Sequence, residues 1–306
     1  MLRRNVLILH TGALGDFVLA WPLVLALGRL HPQSRIICVT HASKGALAEA
    51  ALRVESGDIE HGWHGLFGDD TAALDERVAK LLEGAYAIYT FLPDEKLTKN
   101  LATRAGHAPV TALRTIPPAD WTRHAGEWLL EQLASKPAVR SAVEQILRSI
   151  ASRGIGTGRS HDGDVVVHPG SGSPDKCWPV KRFVELIERL KRNRRDVRVL
   201  LGEVELERFS QDDIAALGQH ATVRKPATYL ELFNELRSAA ELIANDSGPA
   251  HLGAIVGVPT LTLFGPSDPA LWKPLGPKVV TLREEPLEKL SVAKVFAAAK
   301  SLAGTS

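Results

Sequence analysis

The chain is poor in cysteine: Cys38 and Cys177 are its only two. So few thiols exclude a disulfide scaffold, and neither belongs to a cluster with metal-ligand spacing. Long apolar runs are absent too, since no stretch approaches the roughly 18–20 residues a transmembrane helix needs. Nor is there an excess of one charge. The 37 Lys+Arg against 35 Asp+Glu leave a formal net charge of +2 with histidine neutral. That balance argues against a protein that coats nucleic acid, although it leaves local basic patches open. Short repeats, low-complexity tracts, the G-x-G-x-x-G fingerprint and the P-loop are missing as well, so dinucleotide and triphosphate sites have no support. Met1-Leu2-Arg3-Arg4 before Asn5–Leu9 has the outline of a signal peptide. The apolar run ends at His10 after five residues, however, and Gly12 and Gly15 follow. It reads better as a first β-strand. The expected location is the cytoplasm, with peripheral contact at the inner membrane surface as a secondary expectation.

What is present is an ordinary globular composition. The 306 residues are 45% hydrophobic and 24% charged, enough for two domains with ample cores. Strand-like and helix-like segments alternate almost throughout, which predicts parallel sheets with crossover helices. The first half reads as strands Val6–Leu9, Arg35–Thr40 and Ala85–Thr90. Its helices are Asp16–Leu30 with Pro22 in an early turn, Lys44–Arg53, and two patterns near Trp121–Leu133 and Ala138–Ser152. The segment Gly154–Gly163, with four glycines, is the best linker. Beyond it come strands Val165–His168, Val197–Leu201, Glu241–Ala244, Thr260–Phe264 and Lys278–Leu282. The helices there are Lys181–Arg192, Leu206–Leu217, Tyr229–Ala239, Pro249–Val256 and Pro286–Leu302. The expected domains are 1–155, 164–285 and a C-terminal helix 286–306 that packs back towards the first domain.

Three blocks combine residues suited to chemistry. The first, His10-Thr11-Gly12-Ala13-Leu14-Gly15-Asp16, runs from a strand end into a helix start. Its glycines let backbone N–H groups approach a ligand. Asp16 is read two ways here, as an N-cap worth about 1 kcal/mol or as a catalytic carboxylate at the edge where open α/β sheets bind ligands. The second block is His168-Pro169-Gly170-Ser171-Gly172-Ser173-Pro174-Asp175-Lys176-Cys177-Trp178-Pro179. Its hydroxyls, its amides and Lys176 suit an anion, and the following helix N-terminus adds its dipole. An ordinary Pro/Gly-rich loop, with Lys176 solvated and Trp178 in the core, is the plain alternative. The third block, Asn245-Asp246-Ser247-Gly248-Pro249-Ala250-His251-Leu252, continues to Leu263-Phe264-Gly265-Pro266-Ser267-Asp268-Pro269. Pro249 stands at a plausible first helical position, leaving Ser247 and Gly248 to donate to a diphosphate. Asp246 would orient the loop or meet a sugar hydroxyl. His251 either faces the ligand or is a buried helix histidine.

Together these blocks resemble glycosyltransferase family 9, the ADP-heptose:lipopolysaccharide heptosyltransferases. The resemblance implies a GT-B fold, two Rossmann-like domains facing each other across a cleft. It implies inverting, metal-independent transfer of a sugar from a nucleotide-sugar donor, ADP-linked, onto a lipopolysaccharide-core or related glycan or glycolipid acceptor. No other cofactor and no nucleic-acid partner is expected. Asp16 matches the family's general base and Lys176 joins it in the catalytic set. Ser171, Gly172, Ser173, Lys176, Asp246, Ser247, Gly248 and His251 match donor contacts, and Glu205 corresponds loosely to a nucleoside contact. His10, Gly12 and Gly15 fall on the acceptor side. His10 departs from the Arg or Lys common there, which weakens the case for an anionic acceptor sugar. The basic run Lys191–Arg195 reads as a solvated helix end. Lys96, Lys99, Arg104 and Arg123 read singly as surface charges, with contact to phosphorylated acceptor sugars as the alternative. A nucleotide-sugar epimerase and a non-catalytic nucleotide-sugar-binding protein remain competing readings, since fold alone does not choose.

Overall fold

The computed structural model describes residues 4–68, 74–92, 94–156 and 163–304. The chain divides into two compact units, one of Met1–Trp121 with Ala125–Leu147, the other of Thr122–His124 with Arg148–Ser306.

The first unit holds strands β1 (Asn5–Leu9), β2 (Arg35–Thr40), β3 (Glu55–Asp58), β4 (Ala85–Thr90) and β5 (Val110–Ala112). Its helices are α1 (Leu14–Leu30), α2 (Ala42–Leu52), α3 (Glu76–Glu83), α4 (Glu95–Arg104) and α5 (Ala125–Gln132), and α6 (Pro137–Arg153) begins there and ends in the second unit. The strands are parallel in the order β3-β2-β1-β4-β5. β1 is buried along its whole length, as a central parallel strand covered on both faces must be. α1 starts at Leu14, two residues before the expected start, and continues through Pro22 in mid-helix. Phe17, Trp21, Leu23 and Leu27 are fully buried on it, so packing offsets the hydrogen bond that proline removes.

The second unit holds β6 (Val165–His168), β7 (Val197–Leu200), β8 (Thr222–Arg224), β9 (Glu241–Asn245), β10 (Thr260–Phe264) and β11 (Val279–Arg283), parallel in the order β11-β10-β9-β6-β7-β8. Its helices are α7 (Val180–Arg192), α8 (Glu203–Arg208), α9 (Gln211–His220), α10 (Tyr229–Arg237), α11 (Gly248–Ile255), α12 (Pro269–Trp272) and α13 (Val292–Gly304). Each sheet reverses direction of winding once, at β1/β4 and at β6/β9. Open α/β sheets place ligands at the carboxyl ends of the strands flanking that switch.

Two expected helices are broken. Leu206–Leu217 is in fact α8 and α9, because Phe209 is extended and the Ser210 hydroxyl accepts the Asp213 N–H to start a new helix. Pro286–Leu302 is a 3-10 turn at Leu287–Lys289, an extended Leu290, and then α13. The face of α13 carrying Val292, Val295, Ala299 and Leu302 joins the core of the second unit with Leu186, Ile187 and Leu263. No described helix is long and apolar enough to cross a membrane.

The glycine-rich linker lies partly outside the described residues, at 157–162. Its described ends are docked. Ile155 N–H donates to Ile255 O at 2.8 Å, and Gly154 has φ +68°. A Cβ on Gly156 would sit 2.2 Å from Val256 O, and one on Gly163 would sit 2.1 Å from Ser238 O. At these three positions glycine is required by close backbone approach, not by mobility.

Candidate functional site

In the first unit, the β1–α1 loop emerges at the switch between β1 and β4. The N-cap of α1 is Ala13, so Asp16 is the third helical residue and not the capping side chain expected under the plainer reading. Its charge still lies in the first turn, where the helix dipole favours an anion. Gly12 packs between two site residues. A Cβ there would lie 2.9 Å from His10 Cε1 and 3.4 Å from Asp16 Oδ2. His10 is 1% exposed, its ring tilted against Phe17 and Phe91, with Nε2 3.5 Å from Thr115 Oγ1. Burial, helped by the nearby Lys44 charge, lowers its pKa to about 3, so the imidazole is neutral at physiological pH. Gly12 and Asp16 line a cavity of about 1260 Å³ with Phe91, Lys99, Arg114 and Trp128. Of the basic residues considered for acceptor contact, Lys99 is on this wall, whereas Arg104 lines a different cavity of the same unit. Lys44 carried no signal in sequence. It is buried, and its ammonium donates to Thr11 O at 3.1 Å and Gly12 O at 2.5 Å.

In the second unit, the loops after β6, β9 and β10 converge on Asp246. Its Oδ2 accepts from Lys176 Nζ at 2.8 Å and from the Ser267 hydroxyl at 2.6 Å. Its backbone carbonyl accepts the Ser171 hydroxyl at 2.7 Å. Ser171 therefore spends its hydroxyl on the fold, whereas Gly172 faces open space. Ser247 caps α11 by position, yet its buried Oγ makes no hydrogen bond. Gly248 opens the helix, and Pro249 comes second. His251 is buried on α11 with Nε2 3.9 Å from Asp246 Oδ1 and Nδ1 unpartnered. Burial lowers its pKa to about 4, opposed by Asp246 and assisted by His124 and Lys176, so this ring too is neutral. His124, another residue without sequence signal, donates from Nε2 to Lys273 O at 2.8 Å.

The loop after β6 is held from several sides. Asn245 donates from Nδ2 to Pro169 O at 2.6 Å and accepts Trp178 N–H at 3.1 Å on Oδ1. Trp178 is in the core, and its indole N–H donates to Leu290 O at 2.9 Å, but Lys176 is bonded to Asp246 and not simply solvated as the plain-loop alternative has it. Arg208 donates to Ser171 O at 3.2 Å and Gly172 O at 3.1 Å, a role that no motif announced. Glu205 is buried behind this loop. Its Oε2 accepts Gly202 N–H at 2.7 Å and lies 3.5 Å from His168 Nε2. Burial pushes its carboxyl up, but His168 and the Gly202 amide outweigh that and hold it below the ordinary range. A Cβ on Gly170 would fall 1.8 Å from Glu205 Oε1, so glycine alone fits there. Among the described residues, no three His, Cys, Asp or Glu side chains group as metal ligands.

The chain is similar to known glycosyltransferases in sequence and in fold. Lipopolysaccharide heptosyltransferase 3 of Escherichia coli K12 is 31% identical over 119 residues, 36% of this chain and 33% of that protein. The chain thus spans about a third of that curated relative's length. The glycosyl transferase family 9 structure from Veillonella parvula superposes with a TM-score of 0.73 at 22% identity, covering 100% of this chain and 99% of that one. The E. coli heptosyltransferase WaaC, solved with ADP, gives 0.68 at 17%, covering 97% and 99%. Both share the two-domain GT-B architecture, and at these identities they speak for the fold. Residues 129–299, more than half of the 306, match the profile of glycosyltransferase family 9 (heptosyltransferase), and to that family the chain belongs.

Proposed function

We propose that the protein is an inverting, metal-independent glycosyltransferase that moves a sugar, heptose from ADP-heptose, onto a lipopolysaccharide-core or related glycan. The observation that carries the donor half is the unbonded Ser247 hydroxyl at the start of α11, next in the chain to Asp246, whose carboxylate holds Lys176. A buried hydroxyl without a partner costs free energy unless a ligand completes it. Helix amides and an ammonium make that ligand an anion, and a diphosphate matches it. Lys176, Ser247 and Gly248 then hold the diphosphate, with the Ser171–Ser173 loop alongside. Asp246 orients Lys176, neutral His251 offers a ring nitrogen to the donor, and Glu205 shapes the loop from behind. The adenine and heptose assignments rest on the family and on the relative solved with ADP.

Asp16 is the general base of this proposal. The acceptor oxygen attacks the anomeric carbon as its proton passes to Asp16, and the bond to the diphosphate breaks with inversion. A carboxylate within about 2.6–3.2 Å of that hydroxyl suffices. Charge grows on the leaving diphosphate, so Lys176 and the α11 amides stabilise the transition state more than the ground state. The reaction fits a cytoplasmic protein working at the inner membrane surface.

Calorimetry with ADP, GDP, UDP and dTDP, followed by transfer assays with the preferred sugar nucleotide, tests the reading. Tight ADP binding and transfer that Asp16→Asn abolishes are expected. Interconversion of the donor without any acceptor would establish an epimerase instead, and binding without turnover across a broad acceptor panel would leave a binding protein.

A further inference from the structure

Lys44 sits where a lysine is doubly disfavoured. It is 5% exposed, and it is the third residue of α2, in the first turn, where a helix dipole repels positive charge. A buried ammonium persists only with partners that repay its lost hydration. Its partners are the Thr11 and Gly12 carbonyls, the two residues that lead the chain from β1 towards Asp16. β1 and β2 pair in parallel with Leu9 beside Val39, so α1 and α2 both begin at the same edge of the sheet. Asp16 and Lys44 occupy the same third position of these two helices.

We propose that Lys44 is a positioning residue for Asp16: its ammonium clamps the Thr11–Gly12 backbone and supplies the fixed positive charge beside the carboxylate. This rests on the reading of Asp16 as the base. Burial lowers the Lys44 pKa while the Asp16 charge opposes that fall, so the two groups interact electrostatically. His10, neutral beneath Gly12, supplies no charge of its own at physiological pH. The other ionic groups on the cavity wall, Asp94, Glu95, Lys99 and Arg114, carry two charges of each sign. Lys44 is thus the buried cation that holds this loop.

The test is a carbon-13 NMR titration of the Asp16 carboxyl, assigned with Asp16→Asn, in the parent chain, Lys44→Met and Lys44→Gln. Both variants should raise the Asp16 midpoint by about one pH unit or more, the effect of removing an adjacent opposite charge. Lys44→Met should also move the Gly12 and Ala13 amide resonances, whereas Lys44→Gln, which still donates hydrogen bonds, should move them less. In transfer assays the acid limb of kcat should rise by the same amount while the donor KM holds. An unchanged Asp16 midpoint in a folded Lys44→Met protein overturns the inference. Full transfer by Asp16→Asn would instead overturn the base assignment, and the titration would still decide whether Lys44 governs that carboxylate.

Discussion

The two units solve the same topological problem with opposite polar arrangements. Each puts its site at the switch point of a parallel sheet. In the first unit the clamp on the loop is a lysine bonded to backbone carbonyls, and the carboxylate lines a large cavity. In the second the carboxylate is the hub, already holding a lysine and a serine. The first arrangement suits an anion that must accept a proton. The second suits a cation kept in place until a phosphate arrives. The difference teaches that equal folds need not carry equal electrostatics, and that each loop's chemistry follows from which charge the backbone engages.

Four measurements can break or sharpen this contrast. Asp16→Asn should cut transfer by about 10²–10⁴-fold, the usual contribution of a general base, and leave nucleoside-diphosphate affinity intact in calorimetry. Loss of both would end the division of labour between the units. Lys176→Met should weaken that affinity by about ten- to a hundredfold, as loss of a charge-assisted hydrogen bond does; an unchanged isotherm would remove the cation from the donor site. Gly170→Ala should destabilise the second unit by about 1–3 kcal/mol in urea unfolding, because Glu205 leaves no room for the methyl group. Gly12→Ala meets a ring edge at 2.9 Å and the Asp16 side chain at 3.3 Å, a milder clash, and should cost less stability in the first.

Acid should affect both units through their histidines. His10 and His251 have folded pKa values of about 3 and about 4, below the ordinary 6.5. Between those limits the unfolded chain binds protons that the folded one refuses, so stability falls as pH drops below about 6.5. Each ring should contribute a loss of about 1 kcal/mol between roughly pH 7.5 and 5.5, and His10→Phe should flatten the dependence of the first unit. Equal slopes in parent and variant would show that His10 takes up its proton as readily in the folded chain as in the unfolded one.

Much of this was legible because the central strands announce themselves. Val6–Leu9, Val165–His168 and Thr260–Phe264 are apolar runs that demand burial on both faces. The edge strands Glu55–Asp58, Val110–Ala112 and Thr222–Arg224 carry no such signal, since they are short or polar and owe their form to a neighbour's backbone. In the sites, Asp16, Lys176 and Asp246 stand in compact glycine- and proline-marked blocks. Lys44 and Arg208 do not. Each reaches its loop only through the adjacency of strands and helices, so a lone lysine or arginine in a helical stretch reads as surface charge.

The carboxamide of Asn245 has a consequence for how this protein can change. It grips the loop after β6 at both ends, at Pro169 and at Trp178. An inserted or deleted residue must break one grip, whereas substitutions between 171 and 176 leave both intact. Descendants of this chain can therefore retune what that loop recognises by exchanging residues, while its length is held as firmly as a strand register.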